Sequence, residues 1–166
     1  MFCMDTSPSI TCWNMRGLNN PAKKKAVREF ISAIKSNMVC LQETKLDVVN
    51  QFTIMQCIRP SYDGFAYLPA IDTRGGVVLA WDSTVVQVDH VVLDTHALTG
   101  LVHNLDGSQW WITVVYGPQG DEQKLEFLQE LRLRRTACPG PWTLLGDFNM
   151  ILRASEKNNT NINRRT

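Results

Sequence analysis

Charge of one sign is not in surplus. Lys and Arg number 17 against 16 Asp and Glu, a formal net charge of +1 over 166 residues. Bulk charge therefore makes no independent case for nucleic acid, since strong phosphate binders usually carry a basic excess. Paired cysteine motifs are missing too. The five cysteines, an odd number, fall at Cys3, Cys12, Cys40, Cys57 and Cys138 with no Cys-x-x-Cys. That argues against zinc or a disulfide framework and for a reducing compartment, so an intracellular protein, nuclear or cytoplasmic, is expected rather than a secreted one. From Met1 to Ser9 there is no basic-then-apolar signal pattern, and no segment approaches the roughly 20 apolar residues of a membrane span. Repeats, low-complexity tracts and domain boundaries are also absent. The 44% hydrophobic content is that of a globular chain, and the length suits one domain.

The most informative stretch is Trp142-Thr143-Leu144-Leu145-Gly146-Asp147-Phe148-Asn149. Its apolar run is bounded by Pro141 and Gly146 and reads as a buried strand. Asp147 and Asn149, two apart and extended, point the same way off its end. A carboxylate beside an amide suits phosphoester hydrolysis, one group orienting or deprotonating water and the other donating to a phosphate oxygen. Asp and Asn also close strands simply by making turns. Three further strand-like runs end in polar groups: Ile10 to Trp13 before Asn14, Met38 to Leu41 before Gln42-Glu43-Thr44-Lys45, and Trp110 to Val115 before Tyr116-Gly117-Pro118. Sites of layered α/β folds gather where strand ends converge on a rigid platform.

The remaining layout is mixed α/β. Asn20-Pro21 starts a helix through about Ser36, with Val27, Phe30, Ile31 and Ile34 at helical spacing. A second helix covers about Asp121 to Arg135, using Leu125, Leu128 and Leu131, with acids at its start and arginines at its end. Gly76 to Trp81, Val85 to Leu93 and Leu98 to Leu105 read as strands, and Asp106-Gly107 as a hairpin turn. Gly75-Gly76 reads as a tight turn or a close strand approach. Lys23-Lys24-Lys25 and Arg132, Arg134 and Arg135 read as solvated helix faces. From Ala154 onward the chain is polar and loose in this reading. The three histidines, His90, His96 and His103, have no motif around them and read as surface or strand residues.

Taken in order, Asn14 with Gly17-Leu18, then Leu41-Gln42-Glu43-Thr44-Lys45, then Tyr116-Gly117-Pro118, then Gly146-Asp147-Phe148-Asn149 resemble the successive motifs of the endonuclease/exonuclease/phosphatase superfamily. Trp13 to Asn19, Arg74-Gly75-Gly76 and the tail Lys157-Asn158-Asn159 to Asn163-Arg164-Arg165 further resemble the endonuclease domain of plant LINE-type non-LTR retrotransposons. The resemblance runs from about Ser9 to Arg165. It implies the four-layer α/β sandwich of the exonuclease III and deoxyribonuclease I type, DNA as partner and a Mg²⁺ cofactor (or Mn²⁺). By resemblance and charge together, Glu43 and Asn14 hold the metal shell, Asn14 alternatively holding Asp147. Asp147 orients or activates water, Asn149 donates to the phosphate, and Tyr116 donates its phenol. Arg16 departs from family members that carry an acid there. The family's Ser-Asp-His motif is not in the sequence, so the chain is expected to be one incomplete domain, with its second sheet largely missing.

The leading expectation is a truncated, weakly active Mg²⁺-dependent DNA endonuclease domain of retrotransposon origin. A phosphatase on inositol phosphates or other small phosphoesters keeps the fold and changes the substrate. A catalytically silent remnant, binding nucleic acid or nothing, is the third reading. An uncovered sheet face would also favour self-association and marginal stability.

Overall fold

Asn20 and Pro21 open the first helix by local chemistry. Asn20 is extended at φ −83°, its side-chain oxygen accepts from the Ala22 amide at 2.8 Å, and Pro21 occupies a first-turn position where its missing N–H costs nothing. The computed structural model describes residues 7–72 and 75–151. Along them run β1 (Ile10–Asn14), α1 (Pro21–Ile34), β2 (Met38–Gln42), α2 (Gln51–Cys57), β3 (Gly64–Leu68), β4 (Val77–Trp81), β5 (Val86–Leu93), β6 (Ala97–Asn104), β7 (Gln109–Tyr116), α3 (Asp121–Ala137) and β8 (Trp142–Asp147). The polar tail from about Ala154, with its Lys157–Arg165 motif, and Arg74 lie outside the described residues.

Two four-stranded sheets form, in the orders β1-β2-β4-β3 and β5-β6-β7-β8. The β1–β2 and β7–β8 pairs are parallel, and each is joined through a crossover helix, α1 and α3 respectively, as parallel neighbours require. Three apolar layers hold the stack. Val27 and Ile31 of α1 and Ile54 of α2 pack on Val39, Leu41, Val78 and Ala80. The alternate residues of the same strands, Met38, Cys40, Val77 and Leu79, face Leu98, Val102, Ile112 and Val114 of the second sheet. Behind that sheet, Ala97 and Val115 meet Phe127 and Leu131 of α3. β2 and β4 are buried at every position, which explains their unbroken apolar runs. The result is the helix–sheet–sheet–helix sandwich of the exonuclease and endonuclease fold.

The expectation of a largely missing second sheet is corrected. The Asp106-Gly107 hairpin signal gave the pairing of β6 with β7 but not their sheet. A tight turn, in which Asp82 O accepts from the Val85 and Val86 amides, carries the chain from one sheet to the other. The inner apolar face of the first sheet is therefore covered, and the ground for self-association through it disappears. What stays open are strand edges: β1, β3, β5 and β8 each have one neighbour among the described residues.

The helical stripes also differ from expectation. In α1, Val27 and Ile31 are buried, whereas Phe30 and Ile34 are exposed and Phe30 lies against the Trp13 ring at 4.7 Å. In α3, Phe127 replaces Leu125 and Leu128 as the anchor beside Leu131. Nor are all the α3 arginines solvated. Arg134 makes two bonds to Asp94, at 2.8 and 2.5 Å, and Arg135 donates to Cys138 O and Gly140 O. Glu130, on the same helix, accepts from the Thr95 and His96 amides. α3 is thus tied to the β5–β6 turn by polar bonds as much as by apolar packing.

Candidate active site

β1, β2, β7 and β8 all end at one edge of the sandwich, because two parallel pairs fix their directions. Their last residues meet there across the gap between sheets. Asn14 Nδ2 donates to Asp147 Oδ2 at 2.9 Å, joining residues 133 apart in sequence. Asn14 Oδ1 accepts from the Arg16 amide at 3.1 Å, so its amide orientation is fixed from both ends. Asp147 Oδ1 accepts from the Asn149 amide at 2.9 Å, and Asn149 Nδ2 donates to Gly117 O at 2.6 Å. Tyr116 is buried at the end of β7. Burial pushes its phenol above the ordinary tyrosine value, the Glu43 carboxylate beside it pushes further, and the Asn149 amide offsets part of the rise. The structure thus brings together all five residues singled out in sequence: Asn14, Glu43, Tyr116, Asp147 and Asn149.

The backbone here is held in sparsely populated conformations. Arg16, Glu43, Lys45 and Asn149 have φ between 48° and 57°, in the left-handed region that side chains with a Cβ usually avoid. Successive bonds hold the two loops in place: Met15 N to Gln42 O, Gly17 N to Glu43 O and Leu18 N to Thr44 O, each 2.7 to 2.8 Å. Gly75 belongs to the same assembly. A Cβ there would sit 2.6 Å from the Tyr116 ring and 2.9 Å from Glu43 Cα, which is the close approach expected of that glycine pair.

Three contributors were not singled out in sequence. Gln42, 2% exposed, donates to Cys12 Sγ and Cys40 O directly behind Asn14 and Glu43. Thr44, equally buried, takes the Gly76 loop through its amide at 3.3 Å. His96 faces a cavity shared with Glu43 and Tyr116. The Asp106-Gly107 turn sets the β6–β7 register, and counting back from it places His96 opposite Tyr116, where the Tyr116 amide donates to His96 O at 3.0 Å. The signal for His96 lay in that register rather than in a motif.

Residues 11–166 match the model of the endonuclease/exonuclease/phosphatase family. The chain belongs to that family. Among solved structures it is similar to D. rerio TDP2 complexed with single strand DNA product, at TM-score 0.62 and 15% identity over 87% of this chain and 61% of that one. It is also similar to AP endonuclease LMAP from Leishmania major, at TM-score 0.54 and 22% identity over 84% and 54%. The endonuclease domain of TRAS1, a telomere-specific non-LTR retrotransposon, matches at TM-score 0.56 and 12% identity over 88% and 63%. The chain thus spans between 54% and 63% of the length of these structures. No curated protein matches it.

Enzymes of this family generally use divalent metals, and the donor set at the strand ends fits a hard cation. Glu43 and Asp147 offer carboxylate oxygens and Asn14 and Asn149 amide oxygens, with no sulfur or imidazole among the five residues singled out. No group of three or more His, Cys, Asp or Glu able to enclose a metal occurs among the described residues. Lys45 Nζ stands 3.8 Å from Glu43 Oε1, a weak pairing that a divalent ion at Glu43 would replace.

Proposed function

We propose that this chain is the metal-binding portion of a Mg²⁺-dependent phosphodiesterase that nicks DNA, and that it derives from a LINE-type retrotransposon. The observation that carries the reading is the Asn14–Asp147 bond across the two sheets, with Glu43, Tyr116 and Asn149 around it. Each side chain also accepts from the amide two residues on, as in a turn, but the bond between them crosses from one sheet to the other and belongs to no turn and no helix cap. The LINE assignment rests on the sequence motifs Trp13–Asn19, Arg74–Gly76 and Lys157–Arg165.

Each residue then has a role set by its chemistry. Glu43 would hold Mg²⁺, with Asn14 in its shell, and a bound ion would supply neutralisation of charge on the phosphate oxygens. Asp147, its two oxygens fixed by Asn14 and by the Asn149 amide, aims a water at phosphorus and takes its proton. Asn149 gives one amide hydrogen to Gly117 O, and its amide also hydrogen-bonds the Tyr116 phenol, from which it would turn to donate to a phosphate oxygen. Tyr116, which stays protonated well past neutral pH, donates its phenolic hydrogen to the same phosphate. The Ser-Asp-His motif is not in the sequence, so turnover by this chain alone is low, by about the hundredfold to ten-thousandfold a positioned acid or base contributes.

Supercoiled plasmid incubated with and without Mg²⁺ tests this. Slow conversion to the nicked form, dependent on Mg²⁺ and lost in Glu43→Gln, is expected. Release of phosphate from soluble phosphoesters with no nicking would transfer the site to the phosphatase reading. Silence on both would leave a non-catalytic domain.

A further inference from the structure

Beside the strand ends lies a cavity of about 470 Å³, most of whose lining the roles above do not use. Glu43 and Tyr116 line it together with Lys45, His96, Gln119 and Gln123. The geometry points to this cavity as the seat of the phosphate and sugar next to the scissile phosphodiester, with His96 and Gln123 as substrate-contacting residues. The assignment rests on the phosphodiesterase reading and deepens it: the substrate is a strand carrying more than one phosphate, not an isolated phosphoester.

Three observations support it. The first is the balance of donors. Lys45 supplies an ammonium group, Gln119 and Gln123 supply amides, and α3 begins at Gly120, whose side makes no capping bond. Anionic oxygens are the ligand that such a wall satisfies. The acid nearest the helix start, Asp121, is paired with Lys124 at 3.0 Å, and Glu43 belongs to the metal end.

The second is that His96 is held rather than loose. Its amide donates to Glu130 Oε1 at 3.1 Å, and its ring meets Phe127 edge-on at 5.8 Å between centroids. A side chain fixed by α3 on one side and by the β6–β7 register on the other is a rigid wall. Rigid walls lose little entropy when a ligand seats against them.

The third is size. A single phosphate needs only the patch between Glu43 and Asn149, whereas this volume falls in the range of pockets that take molecules as large as a nucleotide.

The test compares selectivity. An oligonucleotide has flanking phosphates and bis(p-nitrophenyl) phosphate has none. In Gln123→Glu, an exposed helix position that will not disturb folding, and in His96→Leu, which keeps the packing on Phe127, the ratio of kcat/KM for oligonucleotide over bis(p-nitrophenyl) phosphate should fall roughly tenfold, mainly through KM. That is the loss expected for one charge-assisted hydrogen bond. An unchanged ratio overturns the assignment and leaves the phosphodiesterase reading standing. If the wild-type chain hydrolyses neither substrate, anisotropy of a labelled oligonucleotide with Mg²⁺ decides: weaker binding by Gln123→Glu than by wild type upholds the cavity without catalysis. Equal binding, or none, overturns it.

Discussion

The two ends of the sandwich use the same residue types for different purposes. At the end away from the site, Asp82 accepts from the Thr84 amide and hydroxyl, Asp106 from those of Ser108, and Asp63 from those of Ser83. Each carboxylate closes a turn or ties neighbouring loops, and its oxygens are spent on donors a few to twenty residues away. The bonds from Ser83 hold the Asp63 carboxyl below its ordinary range. At the site end, Asp147 also accepts from an amide two residues on, but its second oxygen is held by Asn14 from the other sheet. Arg16, Glu43, Lys45 and Asn149 add left-handed backbone around it. A carboxylate that serves a turn is finished. One held by a distant strand inside a strained shell is being aimed.

The largest expected effect separates the two kinds. Asp147→Ala should reduce Mg²⁺-dependent nicking by at least about a hundredfold, the contribution of one positioned base. Asp106→Ala should leave it unchanged. Plasmid nicking rates for the two variants side by side measure this, and equal losses would erase the distinction between the ends.

Glycines give the next effect. A Cβ at Gly117 would lie 2.2 Å from Phe148 O, where the chain passes Asn149 and Asp147. At Gly107, in the far hairpin, a Cβ meets nothing within 4 Å and only the φ of +84° opposes it. Gly117→Ala should cost about 3 kcal/mol of stability, at the upper end of what overpacking against backbone does. Gly107→Ala should cost about 1 kcal/mol, the strain of a left-handed residue. Urea midpoints report both, and a cost at Gly107 equal to that at Gly117 would mean that crowding at the site contributes nothing.

How much of this was legible in sequence depends on the range of the interaction. The Asn20 cap and the Asp106-Gly107 turn are written within three residues, and both elements formed where the sequence placed them. The strand-end motifs were equally plain because each sits beside its own apolar run. α2 and β3 were not read, since α2 is seven residues long with Phe52 facing solvent and β3 is only partly buried along most of its length. Sheet membership failed because nothing in Val86–Leu93 states which layer it joins; the turn at Asp82 decides that. His96 escaped only in part for that reason: its place opposite Tyr116 follows from the register that the Asp106-Gly107 turn sets, but its packing on Phe127 of α3 is a tertiary fact.

Ion pairs repeat the contrast at smaller scale. Arg134 and Asp94 are each 18% exposed and make a forked pair that pins α3 to the site end, whereas Lys25 and Glu29 on α1 are 79% and 68% exposed at 3.9 Å. Asp94→Ala should cost about 1.5 kcal/mol, as for a hydrogen-bonded charge pair with limited access to water. Glu29→Ala should change stability by less than about 0.5 kcal/mol. Thermal melts at low and high salt check this, with the Arg134 pair the less sensitive to screening.

The smallest effect is confined to alkaline pH and concerns Tyr116. Burial, the Glu43 carboxylate and the Asp147 charge all disfavour its phenolate, and the Asn149 amide only partly offsets them. The folded chain therefore keeps this proton to higher pH than the unfolded chain does. Its contribution to stability is complete below the ordinary tyrosine value and is lost as pH rises through the raised one. An ultraviolet difference titration should show two tyrosines ionising later than an ordinary tyrosine, Tyr62 through its burial as well as Tyr116, and Tyr116→Phe should remove one of the two late steps. Glu43→Gln takes away a neighbouring negative charge, so the same step should move down in pH while the fold persists. Asp106→Ala, at the far end, should not move it. If the step that Tyr116→Phe removes ignores Glu43, burial alone sets that phenol, and the strand ends are less tightly coupled than their hydrogen bonds imply.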